Sequence, residues 1–194
     1  LARPLPGLWA DAGTSAKPTM PAGLQNGGVV LSGSCSAMTR AQVARYAEGA
    51  PSFRLDPLRL AQDGPAAALD WLAQQDLDAV PMVYATAEPD TVKAAQARLG
   101  AARAGAVVEE ALARLAVAAR DRGAGRIVVA GGETSGAVTQ ALGVTRLDIG
   151  SEIAPGVPWT FCDSGGARLA LALKSGNFGT ETFFADALAR LEAA

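Results

Sequence analysis

Residues 125 to 142, GRIVVAGGETSGAVTQAL, decide the fold. Ile127, Val128, Val129 and Ala130 form an unbroken apolar run, the pattern of a strand covered on both faces, as in a parallel sheet packed between helices. A helix follows almost at once: Ala137, Val138, Ala141 and Leu142 recur at helical spacing, and Gly143 is placed to stop it. Between the two lies GGETSG, so the backbone must turn sharply at the carboxyl end of the sheet, where open α/β sheets bind their ligands. Thr134 or Ser135 is expected to cap the helix. Gly131 and Gly132 let another group approach the main chain, and the N–H groups of the first helical turn supply donors to an anion, a phosphate being the obvious one.

Outward from this stretch the same design recurs. Toward the amino end, Val29, Val30 and Leu31 make a short buried strand that runs into SGSCSAMT, and Thr39 and Gln42 stand at capping-box spacing at the head of a helix. Ser52 to Leu55 reads as a short strand, and Asp63-Gly64-Pro65 opens a helix in which Ala68, Leu69 and Leu72 share a face. Val80 to Ala85 is a further strand, with Pro81 tolerable only at its start. Pro89 occupies the first turn of a helix ending near Gly100, and the next helix runs from about Gly105 to Arg122, with Val108, Leu112, Leu115, Ala116 and Ala119 as its apolar stripe. Toward the carboxyl end, Arg146 to Ile149 is expected as a short strand, IGSEIAPGVPW as a Pro/Gly-rich loop, Leu169 to Leu173 as a strand, and Phe184, Leu188 and Leu191 as the buried stripe of a closing helix. Leu1 to Gly28, with Pro4, Pro6, Pro18 and Pro21, reads as an arm or linker outside the domain at 29–194. Alternation of this kind predicts an α/β fold: an open, mostly parallel sheet with helices on both faces and ligand loops at the carboxyl ends of the strands.

Composition narrows the chemistry. A chain of 194 residues suits one core, since a domain of that size buries roughly 70% of its unfolded surface. Cys35 and Cys162 are the only cysteines and there is no histidine, so a structural zinc site and every histidine-based catalytic mechanism are unavailable within this chain. The formal charge of -2 and pI near 5.2 offer no basic field to nucleic acid or anionic lipid. No stretch approaches the ~20 apolar residues of a membrane helix, and no signal peptide is evident, so a cytoplasmic location is expected. The first residue, Leu1, is not methionine, so a processed product or a piece of something longer is expected.

SGSCS, GGETSG and KSGNFG each follow a buried strand, combine glycine with hydroxyl residues, and are expected to precede a helix. Parallel packing brings all three to one sheet edge, where Ser34, Ser36, Thr134, Ser135 and Ser175 offer hydroxyls and helix N-termini converge on an anion. Charge-assisted hydrogen bonds of about 1.5 to 3 kcal/mol each let half a dozen such donors hold a triphosphate without a basic cluster. Neither G-x-x-x-x-G-K-[ST] nor a strand leading into G-x-G-x-x-G is present, which excludes a P-loop enzyme and weakens a nicotinamide dehydrogenase. Four residues carry two readings each. Lys174 balances phosphate charge or leaves the sheet for solvent; Glu133 orients a Mg²⁺-bound water or ribose hydroxyl, or is an exposed acid favoured by the helix dipole. Trp159 is read as a rim residue of the core, with stacking on a base as the alternative, and Cys35 as a packing residue rather than a nucleophile. Glu133, Glu152 and Asp163 are the carboxylates placed near the site; no metal ligand is assigned.

Taken together, SGSCSAMT with Gln42, PSFRLD, PMVYATA, VAGGETSGAVTQALG, IGSEIAPGVPW and LALKSGNFG resemble, in this order, the C-terminal nucleotide-binding domain of the four-carbon acid sugar kinase family. The first three look most like its 3-oxo-tetronate 4-kinase branch. The resemblance implies ATP- and Mg²⁺-dependent phosphorylation of the terminal hydroxyl of a four-carbon acid sugar. It also implies ATP contacts at Ser34 and Ser36, at Gly131, Gly132, Glu133 and Thr134, and at Gly176 and Gly179. Members of the family hold the acid sugar on a preceding N-terminal domain to which nothing here corresponds, so this piece is expected to bind nucleotide and turn over little sugar alone. A non-catalytic nucleotide- or anion-binding module is the alternative, and a homo-oligomer is compatible with either.

Overall fold

Alternating apolar residues along each central strand settle the layering. Val29, Leu31, Ile127, Val129, Leu169 and Leu171 point to one side of the sheet, while Val30, Val128, Ala130, Ala170 and Ala172 point to the other, and both sides are buried. The computed structural model describes residue 24 and residues 27–192. The predicted arm over 1–28 lies almost wholly outside the described residues; its last residue, Gly28, already opens the first strand.

The described elements are strand β1 (Gly28–Ser32), helix α1 (Ala37–Ala47), β2 (Ser52–Arg54), α2 (Pro57–Asp63), α3 (Ala66–Ala73), a 3-10 turn (Leu77–Ala79), β3 (Met82–Tyr84), α4 (Pro89–Leu99), α5 (Ala101–Asp121), β4 (Arg126–Ala130), α6 (Gly132–Ala141), β5 (Asp148–Ala154), β6 (Val157–Ser164), β7 (Ala167–Lys174) and α7 (Phe183–Glu192). They form one sheet in the order β2-β3-β1-β4-β7-β6-β5. β2, β3, β1, β4 and β7 are parallel, whereas β6 and β5 add an antiparallel edge. Helices cover both faces: α5 and α6 bury Leu112, Leu115, Val138 and Leu142 on one side, and α1 and α7 bury Val43, Phe183, Phe184 and Leu188 on the other.

Several expectations are corrected. Residues 149–159 are a hairpin rather than a loop, and the strand expected over Arg146–Ile149 is β5, running on to Ala154. Pro155 and Gly156 make its turn, with Gly156 at φ +78°, where proline followed by left-handed glycine reverses the chain in two residues. Helix α2 adds to the expected elements; Asp56 caps it, accepting from Leu58 N at 2.8 Å, and Pro57 fills its first turn. Trp159 is fully buried with its indole N–H donating to the Ala187 carbonyl at 2.9 Å, so it is a core residue on α7 and has no face open to a base.

The strand order contains a switch point. β1 leads into α1 on one face of the sheet and its neighbour β4 leads into α6 on the other, so the two connections part and leave a crevice at the carboxyl ends of the strands. No described helix is long and apolar enough to cross a membrane.

Candidate functional site

Three strands end together at this crevice. Ser32, the last residue of β1, is in register with Ala130, the last of β4, which is in register with Lys174, the last of β7. The turns that leave them therefore start side by side. Gly33 N and Ser34 N both donate to the Ala130 carbonyl at 3.0 and 3.1 Å, and Gly131 N donates to the Lys174 carbonyl at 2.8 Å, so each turn is tied to the next by main chain.

Small side chains are what allow this approach. A β-carbon on Gly33 would overlap the Thr134 hydroxyl, and one on Gly131 would stand 3.2 Å from Ser34 N. On Gly176 it would meet Ser34 Oγ and Ser36 Oγ, each at 3.1 Å. Ser34, Ser36, Gly131, Thr134 and Gly176 are thus gathered in one place, with Gly132 and Glu133 exposed at its rim. Gly179 lies further along the third turn: the three atoms nearest to a β-carbon there all belong to Phe183, and its φ of +79° sets the approach to α7.

The helix starts differ from expectation. α6 begins at Gly132, with Gly131 at φ +130° as its N-cap and no side chain capping it; Thr134 and Ser135 lie inside the first turn. Because Ser135 N to Gly131 O is the first bond of the helix, the N–H groups of Gly132, Glu133 and Thr134 precede the helical ladder. Helix α1 is capped by Ser36, whose Oγ accepts from Thr39 N at 3.2 Å, so Thr39 and Gln42 do not form the expected capping box. Gln42 instead spans to the third turn, its Nε2 donating to the carbonyls of Phe178 and Thr180 at 3.0 and 2.7 Å. The third turn does not open directly into a helix, since α7 starts only at Phe183.

Under the crevice lies a polar network that the sequence did not reveal. Thr39 Oγ1 donates to the Gly176 carbonyl at 2.7 Å and accepts from Ser36 Oγ at 3.0 Å and from Lys174 Nζ at 3.1 Å. Lys174 Nζ also donates to the carbonyls of Gly176 and Ser175 at 2.6 and 3.2 Å. Lys174 is fully buried, which overturns the solvent reading, and burial draws its ammonium down to about 8. Its signal in the sequence was a lysine closing a strand, Leu169–Leu173, that is apolar on both faces. On the β3 side, Thr86 Oγ1 is 2.8 Å from Ser32 Oγ and donates to the Ser34 carbonyl at 2.8 Å, which fixes the first turn from below.

The carboxylates divide. Glu133 stands in the exposed first turn of α6 at the crevice. Glu152 lies on the edge strand β5, accepting from Gly156 N at 3.0 Å. Asp163 pairs with Arg168 near the start of β7, at the other end of the sheet, so its placement near the site is wrong. Among the described residues no three His, Cys, Asp or Glu side chains cluster as metal ligands. Beside the second turn, a cleft of about 350 Å³ runs along α6, lined by Ser135, Gly136, Thr139, Val144, Leu147 and Leu173 among others. Ser135, on the wall of that cleft, donates its hydroxyl to the Gly131 carbonyl at 2.7 Å.

An open, mostly parallel sheet whose switch point carries helix-start amides and a small-residue floor defines an α/β domain that takes its ligand at the strand ends. The chain belongs to the nucleotide-binding C-terminal domain family, whose model matches residues 29–184. It is 55% identical over 166 residues to the 3-oxo-tetronate kinase of Cupriavidus necator, covering 84% of this chain and 38% of that protein. It is 50% identical over 172 residues to the 3-oxo-tetronate kinase of Pseudomonas savastanoi pv. phaseolicola, covering 88% of this chain and 40% of that protein. A crystal structure of Haemophilus influenzae protein HI1011, of family DUF1537, superposes with a TM-score of 0.79 at 41% identity, covering 92% of this chain and 42% of that one. The chain therefore spans less than half the length of the relatives it matches.

Proposed function

We propose that this chain is the ATP-binding part of a kinase that transfers the γ-phosphoryl group of ATP to the terminal hydroxyl of a four-carbon acid sugar, 3-oxo-tetronate. The observation that carries the reading is the register of Ser32, Ala130 and Lys174, which starts three glycine- and hydroxyl-rich turns at one crevice. The phosphates lie across these turns: Ser34 donates a hydroxyl hydrogen bond and Ser36, whose own hydroxyl proton goes to Thr39, borders them; Gly132, Glu133 and Thr134 present the amides of the α6 start beside Gly131, whose amide is held by the Lys174 carbonyl; and Gly176 and Gly179 shape the third side. The cleft along α6, with apolar Val144, Leu147 and Leu173 and the hydroxyls of Ser135 and Thr139, takes the base and ribose.

The transfer forms one bond, from phosphorus to the sugar oxygen, and breaks the bridging bond to ADP, releasing the hydroxyl proton. Such chemistry needs position and charge neutralisation more than covalent help. Mg²⁺ supplies neutralisation when bound on the phosphate oxygens. Few protein carboxylates are needed for that, and exposed Glu133 at the rim is the one that fits as a partner of its waters. With no histidine in the chain, the acceptor of the hydroxyl proton is not an imidazole of these residues. The acid sugar is held by the portion of the relatives that this chain does not span, so the chain alone binds nucleotide and turns over little sugar.

A coupled ADP-release assay with 3-oxo-tetronate tests this. Turnover that appears only when the chain is joined to the remaining portion of the Cupriavidus necator relative supports the reading. Nucleotide binding without phosphorylation in that fusion contradicts it and favours a non-catalytic nucleotide-binding module.

A further inference from the structure

We propose that Lys174 is a positioning residue for the nucleotide's phosphates, a buried cation beneath the crevice whose charge the bound anion partners, so that nucleotide binding keeps its Nζ protonated. This rests on the nucleotide reading above and goes beyond it by naming the countercharge.

All three Nζ hydrogens go to neutral oxygens: the Thr39 hydroxyl and the carbonyls of Ser175 and Gly176. No carboxylate is paired with it among the described residues. The charged groups on the surrounding elements are turned elsewhere. Arg40 of α1 donates to the Cys35 carbonyl and pairs with Glu88, Asp186 of α7 accepts from Thr180 and Thr182, and Glu133 of α6 is exposed. Across the sheet, β4 presents Ala130 at its register, and α7 lays the Phe183 ring 6.0 Å from Nζ. A buried ammonium without an opposite charge is costly, and evolution of such a site makes physical sense when the opposite charge arrives with a ligand.

The position suits that. Nζ is one hydrogen bond from Gly176 and from Thr39, and through Thr39 two from Ser36, so the third turn rests on it directly and the first through Thr39. An anion at these turns raises the proton affinity of Nζ by Coulomb attraction through a medium of low dielectric. Burial leaves the unliganded amine half-protonated at about pH 8. Binding at that pH therefore takes up roughly half a proton, and affinity falls toward tenfold per pH unit above it.

Titration calorimetry of the full chain with ATP, in two buffers of different ionisation enthalpy between pH 7 and 9.5, reads both quantities. The expected result is proton uptake that peaks between the unliganded and liganded pKa values, and an ATP Kd that climbs above about pH 8. Lys174→Arg, whose guanidinium does not titrate there, binds without the climb, while Lys174→Met binds weakly at every pH. Should the variants fail to fold, the proton count of the unaltered chain decides alone. A flat Kd with no proton uptake overturns the proposal and leaves nucleotide binding standing; no ATP binding at any pH overturns the nucleotide reading and this inference with it.

Discussion

The hydroxyl of Thr39 donates to the carbonyl of Gly176 at 2.7 Å, joining the first turn of α1 to the turn after β7 across 137 positions of sequence. Thr39 is fully buried, so nothing from solvent can replace that bond. Thr39→Val keeps the shape and removes the hydroxyl, leaving Lys174 and Gly176 short of a partner. The expected cost is about 1–3 kcal/mol in urea unfolding, with a larger fractional loss of ATP affinity than a remote mutation of equal cost. Thr39→Ser restores both.

Two glycines separate stability from binding. Gly132 has no heavy atom within 4 Å of where a β-carbon would go, and it begins α6 with an ordinary backbone. Gly132→Ala is expected to leave stability unchanged or raised by up to about 1 kcal/mol, because alanine favours helix, while its methyl group weakens ATP binding by obstructing the α6 amides. Gly176→Ala presses on Ser34 Oγ and Ser36 Oγ at 3.1 Å and spreads the turns, with an expected loss of about tenfold in ATP affinity, or about 1.4 kcal/mol. Thermal melts beside ATP titrations check both.

Trp159 supplies a control. Its indole is buried against α7 and bonded to the Ala187 carbonyl. Trp159→Phe leaves that carbonyl without its donor and opens a small void, with an expected loss of about 1–3 kcal/mol and no change in ATP Kd beyond twofold. A large change in Kd would return the tryptophan to the ligand.

Stability against pH carries opposing contributions. The Lys174 pKa falls from 10.5 unfolded to about 8 folded, so between these values the unfolded chain holds a proton that the folded chain has shed, and stability rises with pH. Cys162 runs the other way: burial raises its thiol from 9.0 to about 11, so its contribution is intact below pH 9 and is lost as pH climbs through 11. Tyr46, buried with its hydroxyl donating to the Val80 carbonyl at 2.9 Å, is raised from 10.0 to about 12, with Arg126 pulling back against burial. Urea midpoints of the unliganded chain should therefore rise between about pH 8 and 9 and decline above 10.5. Lys174→Met abolishes the rise, and Cys162→Ala shallows the decline.

How much of this the sequence carried depends on the kind of signal. Val29–Leu31, Ile127–Ala130 and Leu169–Leu173 are apolar without a break, which only strands buried on both faces require, so the parallel centre and the grouping of its turns were legible. The β5–β6 hairpin was not, because Pro155, Gly156 and Pro158 read as breakers. In the fold the first two make the turn, and Pro158 is accommodated where the β5 register shifts. The Thr39–Lys174–Gly176 network was missed for a different reason: its partners are remote in sequence, and a lone threonine or lysine carries no periodicity. The spacing of Gln42 from Thr39 points to its own helix start, whereas its amide reaches the carbonyls of the third turn.

Amide-resolved NMR of the chain titrated with ATP tests the central claim most directly, since the claim is that the turns after β1, β4 and β7 form one phosphate site. The account predicts saturable shifts concentrated at Ser34, Ser36, Gly132, Glu133, Thr134 and Gly176, with the hairpin end around Asp163 and Arg168 unmoved. Saturable binding that shifts the Asp163–Arg168 end and leaves those amides in place, or no binding at all, would contradict it.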